Sequence, residues 1–235
     1  MGDTLVECVP NFSEGRDQSI IDEIIQSIST VSDVTLLDVD IGYDFNRTVV
    51  TMVGTPEAVL EAAVASTSVA IRLIDMRKHS GEHARMGAVD VVPFIPIQNS
   101  TMEDCISLSE RYGKIISERF KIPIYLYANS ARRKERKRLP DIRKGEYEGL
   151  EKKLSMDIWK PDFGPSAFVP KTGAIASGAR QVLIAYNINL NTNNKKLANI
   201  IAGKIRTSGT FSKDSNGDKI PVSYTHLRAH ETNSH

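Results

Sequence analysis

The sequence predicts an α/β (α+β) protein that begins with a ferredoxin-like βαββαβ sheet, with its helices on one face, and continues into a truncated second α/β subdomain. Three observations support this prediction. Short β-branched runs alternate with segments whose apolar residues recur every three or four positions, the pattern of alternating strands and helices. Of the 235 residues, 40% are hydrophobic and 25% are charged, as in soluble globular domains. The periodic pattern stops after Arg206, before a second layered unit is complete.

The first six elements follow the order strand, helix, strand, strand, helix, strand. The strands are predicted at residues 5–10, 34–40, 47–53 and 88–97. The first helix has isoleucines at positions 20, 21, 24, 25 and 28, which lie on one helical face. Thr55 and Pro56 supply a capping hydroxyl and a first-turn proline for the second helix, which ends near Asp75. Right-handed crossovers then place both helices on the same face of an antiparallel sheet.

Beyond this sheet the elements are less regular. In chain order we expect a helix capped by Ser100 or Thr101 and ending near Phe120, a strand at 122–127, a basic turn-like stretch at 134–144, a helix at 146–154 and a loop at 161–178. A strand at 181–190 and a helix at 195–206 open a second unit with too few partners to bury its apolar faces. We therefore predict a first subdomain at 1–179, the start of a second at 180–206, and a disordered, non-native tail at 207–235.

Charge and cysteine content exclude several classes of protein. The 30 Lys and Arg residues against 29 Asp and Glu residues give a net charge of +1, which provides no overall attraction to nucleic acid or anionic lipid. No apolar stretch approaches the roughly 18 residues of a membrane span, and the first residues lack the features of a signal peptide. Cys8 and Cys105 are too few for a disulfide framework. We expect a cytoplasmic protein whose partners are small molecules, with no nucleic acid and no membrane; a homo-oligomer is compatible with the sequence.

The densest cluster of chemically active side chains is RKHSGEHARMG at 77–87, between a helix and a strand. Its composition fits a catalytic loop and a solvated charged connector about equally well. His79, Glu82 and His83 also fit the H-x-x-E-H zinc pattern. Gly81 weakens a helix at the centre of that pattern, and a strand begins a few residues later, so we do not favour zinc.

Two other segments admit both a functional and a structural interpretation. The basic run at 132–138 lacks the interleaved aromatic residues that a nucleic-acid stacking platform needs, so we interpret it as a solvated loop. Residues 162–173 combine prolines, glycines and two aromatic residues. Such a segment either walls a pocket for a flat ring or serves as an interdomain linker.

Four motifs, taken together and in this order, resemble the glutamate formimidoyltransferase (formiminotransferase) family. They are VECVPNFSEG at 6–15, NRT at 46–48, GEHARMGA at 81–88 and DFGPS at 162–166, within a resemblance that runs from Leu5 to Arg206. The resemblance implies two similar α/β subdomains with folate held between them. It also implies transfer of a formimidoyl group between N-formimidoyl-L-glutamate and tetrahydrofolate, in histidine degradation. Tetrahydrofolate is then a co-substrate, and no metal is required.

The resemblance also assigns candidate site residues. His83 falls on the catalytic histidine of the family. The folate-binding segment consists of Gly164, Pro165, Ser166, Ala167, Phe168, Val169, Pro170, Lys171, Thr172 and Gly173. The motif residues near the site are Asn11, Asp40, Asn46 and Arg47. As a hypothesis, Asp40 orients the imidazole or pairs with the cationic amidine, and Arg47 and Arg85 bind the glutamate carboxylates through their planar guanidinium groups.

The sequence departs from the family pattern in two places. Ala84 stands where the family usually has proline, which loosens the loop slightly. The second subdomain breaks off after Arg206, and residues 222–232 look like translated adapter DNA rather than the family. We therefore expect one wall of the folate site to be missing and this polypeptide to have little activity. A non-catalytic folate-binding module is the alternative function, and a zinc hydrolase using His79, Glu82 and His83 is a further one.

Overall fold

The computed structural model describes residues 3–183, 186–192, 194–205 and 225–229. The chain divides into two compact units, Met1–Gln181 and Val182–His235. In the described residues, no helix has the length and apolarity needed to cross a membrane.

The first unit contains seven strands and five α-helices in its described part. They are β1 (Leu5–Cys8), β2 (Asn11–Phe12), α1 (Gln18–Ser29), β3 (Val34–Gly42), β4 (Arg47–Gly54), α2 (Pro56–Leu73), β5 (Val89–Gln98), α3 (Met102–Phe120), β6 (Ile124–Ala128), α4 (Leu139–Arg143), α5 (Leu150–Leu154) and β7 (Ile175–Ala179). The strand predicted at 5–10 is β1, which ends at Cys8; Pro10 has no backbone N–H to donate to a ladder, and the short strand β2, which was not predicted, follows it. The helix predicted to end near Phe120 is α3, with Thr101 as its capping residue. The helix predicted at 146–154 is the shorter α5.

All seven strands form one sheet in the order β3-β4-β1/β2-β5-β7-β6. From β3 to β5 each neighbouring pair is antiparallel, which is the strand order of the predicted βαββαβ unit. β5, β7 and β6 run parallel to one another and extend the sheet on one side. The ferredoxin-like α+β prediction is thus confirmed for the antiparallel part of the sheet, from β3 to β5, and the parallel strands β7 and β6 extend it.

Strand β7 lies inside the segment that the sequence predicted as a loop at 161–178, so that prediction is wrong at its end. Its sequence, IASGA, is buried throughout between two other strands, and four of its five residues are small. Gly178 leaves room for the neighbouring strand, since a Cβ on it would lie 2.3 Å from the carbonyl oxygen of Tyr127. Alanine, serine and glycine have low strand propensity, so the sequence of this segment does not predict a strand.

Each face of the sheet has its own hydrophobic core. On one face, helices α1, α2 and α3 cover side chains such as Phe12, Met52 and Phe94. On the other face, α4 and α5 cover Tyr125 and Tyr127 at the parallel end of the sheet. The expectation of helices on one face therefore holds for the antiparallel part alone, because the parallel extension needs cover on both sides.

The basic run at 132–138 is only partly the solvated loop that its charge pattern predicted. Arg136 is 1% exposed, and its Nη1 donates to the Asp162 carboxylate over 2.6 Å. Arg132 lies over the ring of Phe163, with 4.8 Å from Cζ to the ring centroid. Lys137 remains exposed. The interpretation as hydrated charge is wrong for Arg136, because this stretch folds back onto a buried carboxylate.

The second unit contains β8 (Tyr186–Leu190), α6 (Lys195–Ile205) and β9 (Thr225–Ala229) in its described residues. β8 and β9 pair in parallel, from Tyr186 opposite Thr225 to Leu190 opposite Ala229. The strand predicted from residue 181 begins later, and the helix predicted at 195–206 is confirmed to within one residue. The predicted tail at 207–235 includes β9 at Thr225–Ala229; residues 207–224 and 230–235 lie outside the described residues.

Candidate functional site

The candidate site is built on the loop between α2 and β5. Helix α2 ends at Leu73 because Ile74 adopts an extended backbone, with φ −84° and ψ 132°. A short 3₁₀ turn at Met76–Lys78 follows, and the loop then carries both histidines of the predicted catalytic segment. One narrow crevice collects side chains from this loop and from the turns beside it. Its lining is Ser13, Phe45, Asn46, Arg47, His79, His83, Arg85 and Asp90.

His83 is half-buried and contacts the first residue of β4. Arg47 Nη1 lies 2.7 Å from His83 Nε2. A guanidinium group only donates hydrogen bonds, so Nε2 is the acceptor in this contact. The imidazole is therefore neutral in this arrangement and carries its proton on Nδ1.

Asn46 connects the three loops that surround the crevice. Its backbone is left-handed, with φ 46°, a conformation that asparagine adopts more readily than most residues. Its Oδ1 accepts from the backbone N–H of Gly15 over 2.9 Å, and its Nδ2 donates to the carbonyl of Ser80 over 3.0 Å. Asn46 thereby fixes the position of Arg47, the next residue, relative to the histidine loop.

His79 has defined partners for both ring nitrogens. Arg85 Nε donates to His79 Nδ1 over 3.2 Å, so His79 Nε2 carries the proton and donates to the Asn46 carbonyl over 2.9 Å. Partial burial lowers the pKa of His79, and the charge of Arg85 lowers it further, while the Asn46 carbonyl opposes this shift. The fold thus holds His79 in its neutral form.

This geometry counts against the H-x-x-E-H zinc interpretation. A zinc ligand needs a ring nitrogen with an available lone pair, and both nitrogens of His79 are already used by Arg85 and Asn46. The segment from His79 to His83 is not helical, so the two rings do not project from one helical turn. Among the residues that the structure describes, no three His, Cys, Asp or Glu side chains are grouped closely enough to hold a metal ion.

Arg85 is 7% exposed and is held by two carboxylates from the loop between α4 and α5. Its Nη1 and Nη2 donate to the two oxygens of Glu148 over 2.9 and 2.6 Å, a bidentate contact. Nη1 also donates to Glu146 over 3.1 Å. The hydrogen bonds to Glu148 raise the pKa of Arg85 and lower the pKa of Glu148, which keeps both groups charged.

The segment at 164–173 runs along the end of the sheet where β5, β7 and β6 begin. At its far end, Gly173 has a φ of +69° and lies so close to Met86 that a Cβ would be 2.0 Å from the Met86 carbonyl oxygen. Phe168 packs against Tyr147, with 5.3 Å between the ring centroids, and the Tyr147 hydroxyl donates to the Pro170 carbonyl over 2.5 Å. This half of the segment therefore reaches the loop that carries His83.

Residues 5–180 match the family described as "Formiminotransferase domain, N-terminal subdomain". The chain belongs to this family. A glutamate formimidoyltransferase of Thermoplasma acidophilum is 44% identical over an alignment of 237 positions, which covers 96% of this chain and 78% of that protein. A formimidoyltransferase-cyclodeaminase of Dictyostelium discoideum is 54% identical over 205 residues, 87% of this chain.

The chain spans 38% of the length of the Dictyostelium discoideum relative. It spans 69% of a glutamate formimidoyltransferase of Streptococcus pyogenes, at 44% identity. Coverage of 96% of the chain by the Thermoplasma acidophilum alignment requires that alignment to extend past residue 206. The alignments with the Dictyostelium discoideum and Streptococcus pyogenes relatives cover 87% of the chain each.

Within this formiminotransferase subdomain, the structure brings together part of the predicted site. Asn11 and Asp40 both lie opposite Val49 in their ladders, so they share a sheet face with Val49 and with Arg47 two residues away. Asp40 is exposed there, and Asn11 is 8% exposed, with its Nδ2 donating to the Val9 carbonyl over 3.0 Å. This is the face opposite helices α1 and α2, and Arg47 joins it to His83.

Other predicted residues of this subdomain are placed apart from that group. The N-terminal end of the predicted folate-binding segment, at Gly164 and Pro165, lies against the end of α3. It lines a separate cleft with Ser117 and Lys121. The Arg85 guanidinium contacts Glu148 and Glu146, and these protein carboxylates stand where the hypothesis placed substrate carboxylates. The prediction therefore grouped residues that the fold distributes along one end of the sheet.

Sequence reasoning missed Glu146, Glu148 and the buried Asp90. Asp90 accepts from the backbone N–H of Met86 over 3.0 Å and pairs with Arg143, which fixes the base of the crevice. The glycines at 145 and 149 signal a loop around the two glutamates. Nothing local to that loop indicates that its partner is Arg85.

The neutral state of His79 predicts a pH dependence of folding stability. The pKa of His79 is lowered in the folded state, so the unfolded chain binds more protons as the pH falls through about 6.5, the ordinary histidine value. The contribution of His79 to stability is complete above that pH and is lost as the pH falls below it. In urea titrations between pH 5.5 and 7.5, the chain should lose stability towards the acidic end, and His79→Gln should lose less. Equal slopes for the two proteins would contradict this assignment.

Proposed function

We propose that this chain carries the formimidoyl-transfer site of a folate-dependent glutamate formimidoyltransferase of histidine degradation. The substrates are N-formimidoyl-L-glutamate and tetrahydrofolate, which acts as the co-substrate, and the products are glutamate and formimidoyl-tetrahydrofolate. The observation that carries the proposal is 44% identity to a glutamate formimidoyltransferase of which the chain spans 78%. The buried, unpaired cysteines Cys8 and Cys105 support a reducing, cytoplasmic setting.

His83 is assigned the proton transfers of this reaction. A ring nitrogen of tetrahydrofolate attacks the amidine carbon, a new C–N bond forms, and a tetrahedral intermediate results. The folate nitrogen then loses a proton, the departing glutamate nitrogen gains one, and the original C–N bond breaks. One imidazole performs both transfers, and general acid–base catalysis of this kind contributes about 10²–10⁴-fold to the rate.

The contact between Arg47 and His83 links substrate binding to this proton transfer. While Arg47 donates to Nε2, that nitrogen has no lone pair for a proton. A substrate carboxylate that engages the Arg47 guanidinium releases Nε2, which then accepts the proton of the attacking nitrogen. Asp40 shares the sheet face with Arg47 and is assigned to the cationic amidine as its counter-charge.

The pterin ring of the folate is assigned to the C-terminal half of the segment at 164–173. Phe168 and Tyr147 supply two aromatic faces there, beside the loop that carries His83. Thr172 adds a buried hydroxyl whose oxygen has no hydrogen-bond partner among the described residues. A flat heterocycle with polar edges fits a wall of this kind.

Two measurements on the purified chain test the proposal. The first is turnover of N-formimidoyl-L-glutamate with tetrahydrofolate, with and without prior treatment with a metal chelator; the second is calorimetric titration with 5-formyltetrahydrofolate. We expect folate binding and a low rate of turnover, in line with the little activity predicted from the sequence, and this rate should be the same before and after chelation. Folate binding without turnover favours a non-catalytic folate-binding module, and the absence of both contradicts the proposed function.

A further inference from the structure

We propose that Glu148 is an internal competitor for the carboxylate-binding group of Arg85, and that a ligand carboxylate must displace it to bind. This inference rests on the proposed function in assigning glutamate as the ligand. It adds a specificity-determining residue, Glu148, that the family motifs in the sequence do not mark.

The Arg85 guanidinium is a built anion site. Its side chain is 8% exposed, and its Nε is fixed by the contact with His79 Nδ1 over 3.2 Å. Its orientation therefore does not depend on Glu148. Nη1 and Nη2 face outward into an open cleft that is lined by His79, Ser80, Gly81, Gly145, Glu146 and Glu148. A planar fork of two N–H groups at the base of a cleft matches one carboxylate.

In this structure the carboxylate on that fork belongs to the protein. Glu148 binds it with two hydrogen bonds of 2.9 and 2.6 Å, the geometry that a bound dicarboxylic amino acid would reproduce. The Glu148 side chain is nevertheless 63% exposed and that of Glu146 is 45% exposed. Glu148 can therefore be rehydrated when it leaves, and the incoming ligand carboxylate keeps the buried Arg85 guanidinium paired, so the exchange leaves no buried charge without a partner.

The loop around Glu148 allows this exchange without unfolding. Gly145 and Glu146 have left-handed backbones, with φ 90° and 53°, and the turn is closed by Gly149 N–H donating to the Gly145 carbonyl over 2.7 Å. Tyr147 anchors the loop through its hydroxyl contact with Pro170. Glu148 then needs only to change its side-chain rotamer to release Arg85, since its backbone stays in place.

Competition of this kind weakens the observed affinity of the ligand. When the binding-competent form is a fraction of the population, the apparent Kd rises by the reciprocal of that fraction. Replacing the carboxylate of Glu148 by an amide removes its charge and one acceptor oxygen, and so increases the open fraction. The proposal therefore predicts that a substitution in the site improves binding, which a merely structural role of Glu148 would not produce.

The test is calorimetric titration of the full chain with L-glutamate. We expect Glu148→Gln to lower the Kd about 5- to 10-fold, while Glu151→Gln, an exposed matched control on α5, changes it less than twofold. In the double variant Arg85→Met, Glu148→Gln, the Kd for L-glutamate should no longer be lowered. Melting temperatures establish that each protein is folded.

An unchanged or higher Kd for Glu148→Gln would overturn the proposal, and so would the absence of binding by both the wild-type chain and the variant. Failure of this inference can be distinguished from failure of the proposed function. Turnover that depends on His83 would survive either outcome, whereas loss of turnover and of folate binding would remove the proposed function whatever the glutamate titration gives.

Discussion

Replacing His83 with alanine is expected to lower kcat for formimidoyl transfer by about 10²–10⁴-fold, the usual contribution of a general acid–base residue. Alanine removes both ring nitrogens, and the titratable neighbours in the crevice are engaged elsewhere. Arg47 is a permanent cation, His79 uses its nitrogens on Arg85 and Asn46, and Asp90 binds the Met86 N–H and Arg143. The loss should appear in kcat at saturating tetrahydrofolate. It is measured by the formation of formimidoyl-tetrahydrofolate under steady-state conditions.

Two measurements separate a chemical role of His83 from a structural one. The Kd for 5-formyltetrahydrofolate should change less than threefold in the alanine variant, since the aromatic wall at Phe168 and Tyr147 stays intact. Glu61→Gln, an exposed change on α2, is the control for handling and should leave kcat unchanged. Retention of a tenth or more of the wild-type kcat by His83→Ala would show that another group carries the protons.

Most of the fold could be predicted because its elements have strong local signals. Strands β1, β3, β4 and β5 consist largely of β-branched and apolar residues, and isoleucine spacing marks α1. Strand β7 has little such signal, because four of its five residues are small, and at Gly178 the close approach of Tyr127 leaves no room for a side chain. Sequence patterns predict each element from its own residues, whereas β7 is a strand because it pairs with β5 on one side and β6 on the other.

The candidate site could be predicted less completely than the fold. The loop with His79 and His83 is visible as a cluster of titratable residues, and the motif resemblance selects His83 within it. The contact of Arg85 with Glu148 joins residues 63 positions apart, and neither position shows which carboxylate the guanidinium will meet. Pairings of this kind depend on the tertiary fold, so composition and spacing leave them undetermined.

Arg136 shows the same limit in the basic run, and it leads to the largest stability effect that we predict. Its Nη1 binds the buried carboxylate of Asp162, and its Nη2 donates to the carbonyls of Ile158 and Lys160. The guanidinium also lies over the ring of Tyr125, with 5.1 Å from Cζ to the centroid. Arg136 therefore attaches the 157–162 segment to β6.

Arg136→Met is expected to lower the free energy of unfolding by about 3–5 kcal/mol, because it leaves Asp162 as an unpaired buried charge. Asp162 is 5% exposed in its side chain, and after the substitution the Leu126 backbone N–H remains as its partner, at 2.8 Å. Urea unfolding is followed by far-UV circular dichroism and by the fluorescence of Trp159, the single tryptophan of the chain. Lys137→Ala, in the same basic run but exposed, should change the free energy of unfolding by less than about 0.5 kcal/mol.

A second variant separates the lost ion pair from lost packing around Arg136. In the double variant Arg136→Met, Asp162→Asn the buried charge is gone, while the asparagine Oδ1 still accepts from the Leu126 N–H. The double variant should therefore recover about 1–3 kcal/mol relative to Arg136→Met alone, the size of the penalty for an unsatisfied buried group. If both variants are equally unstable, the packing of the guanidinium on Tyr125 and the carbonyls carries the effect. If Arg136→Met is as stable as Lys137→Ala, the pair has no structural importance, and the basic run is the hydrated loop that its sequence first indicated.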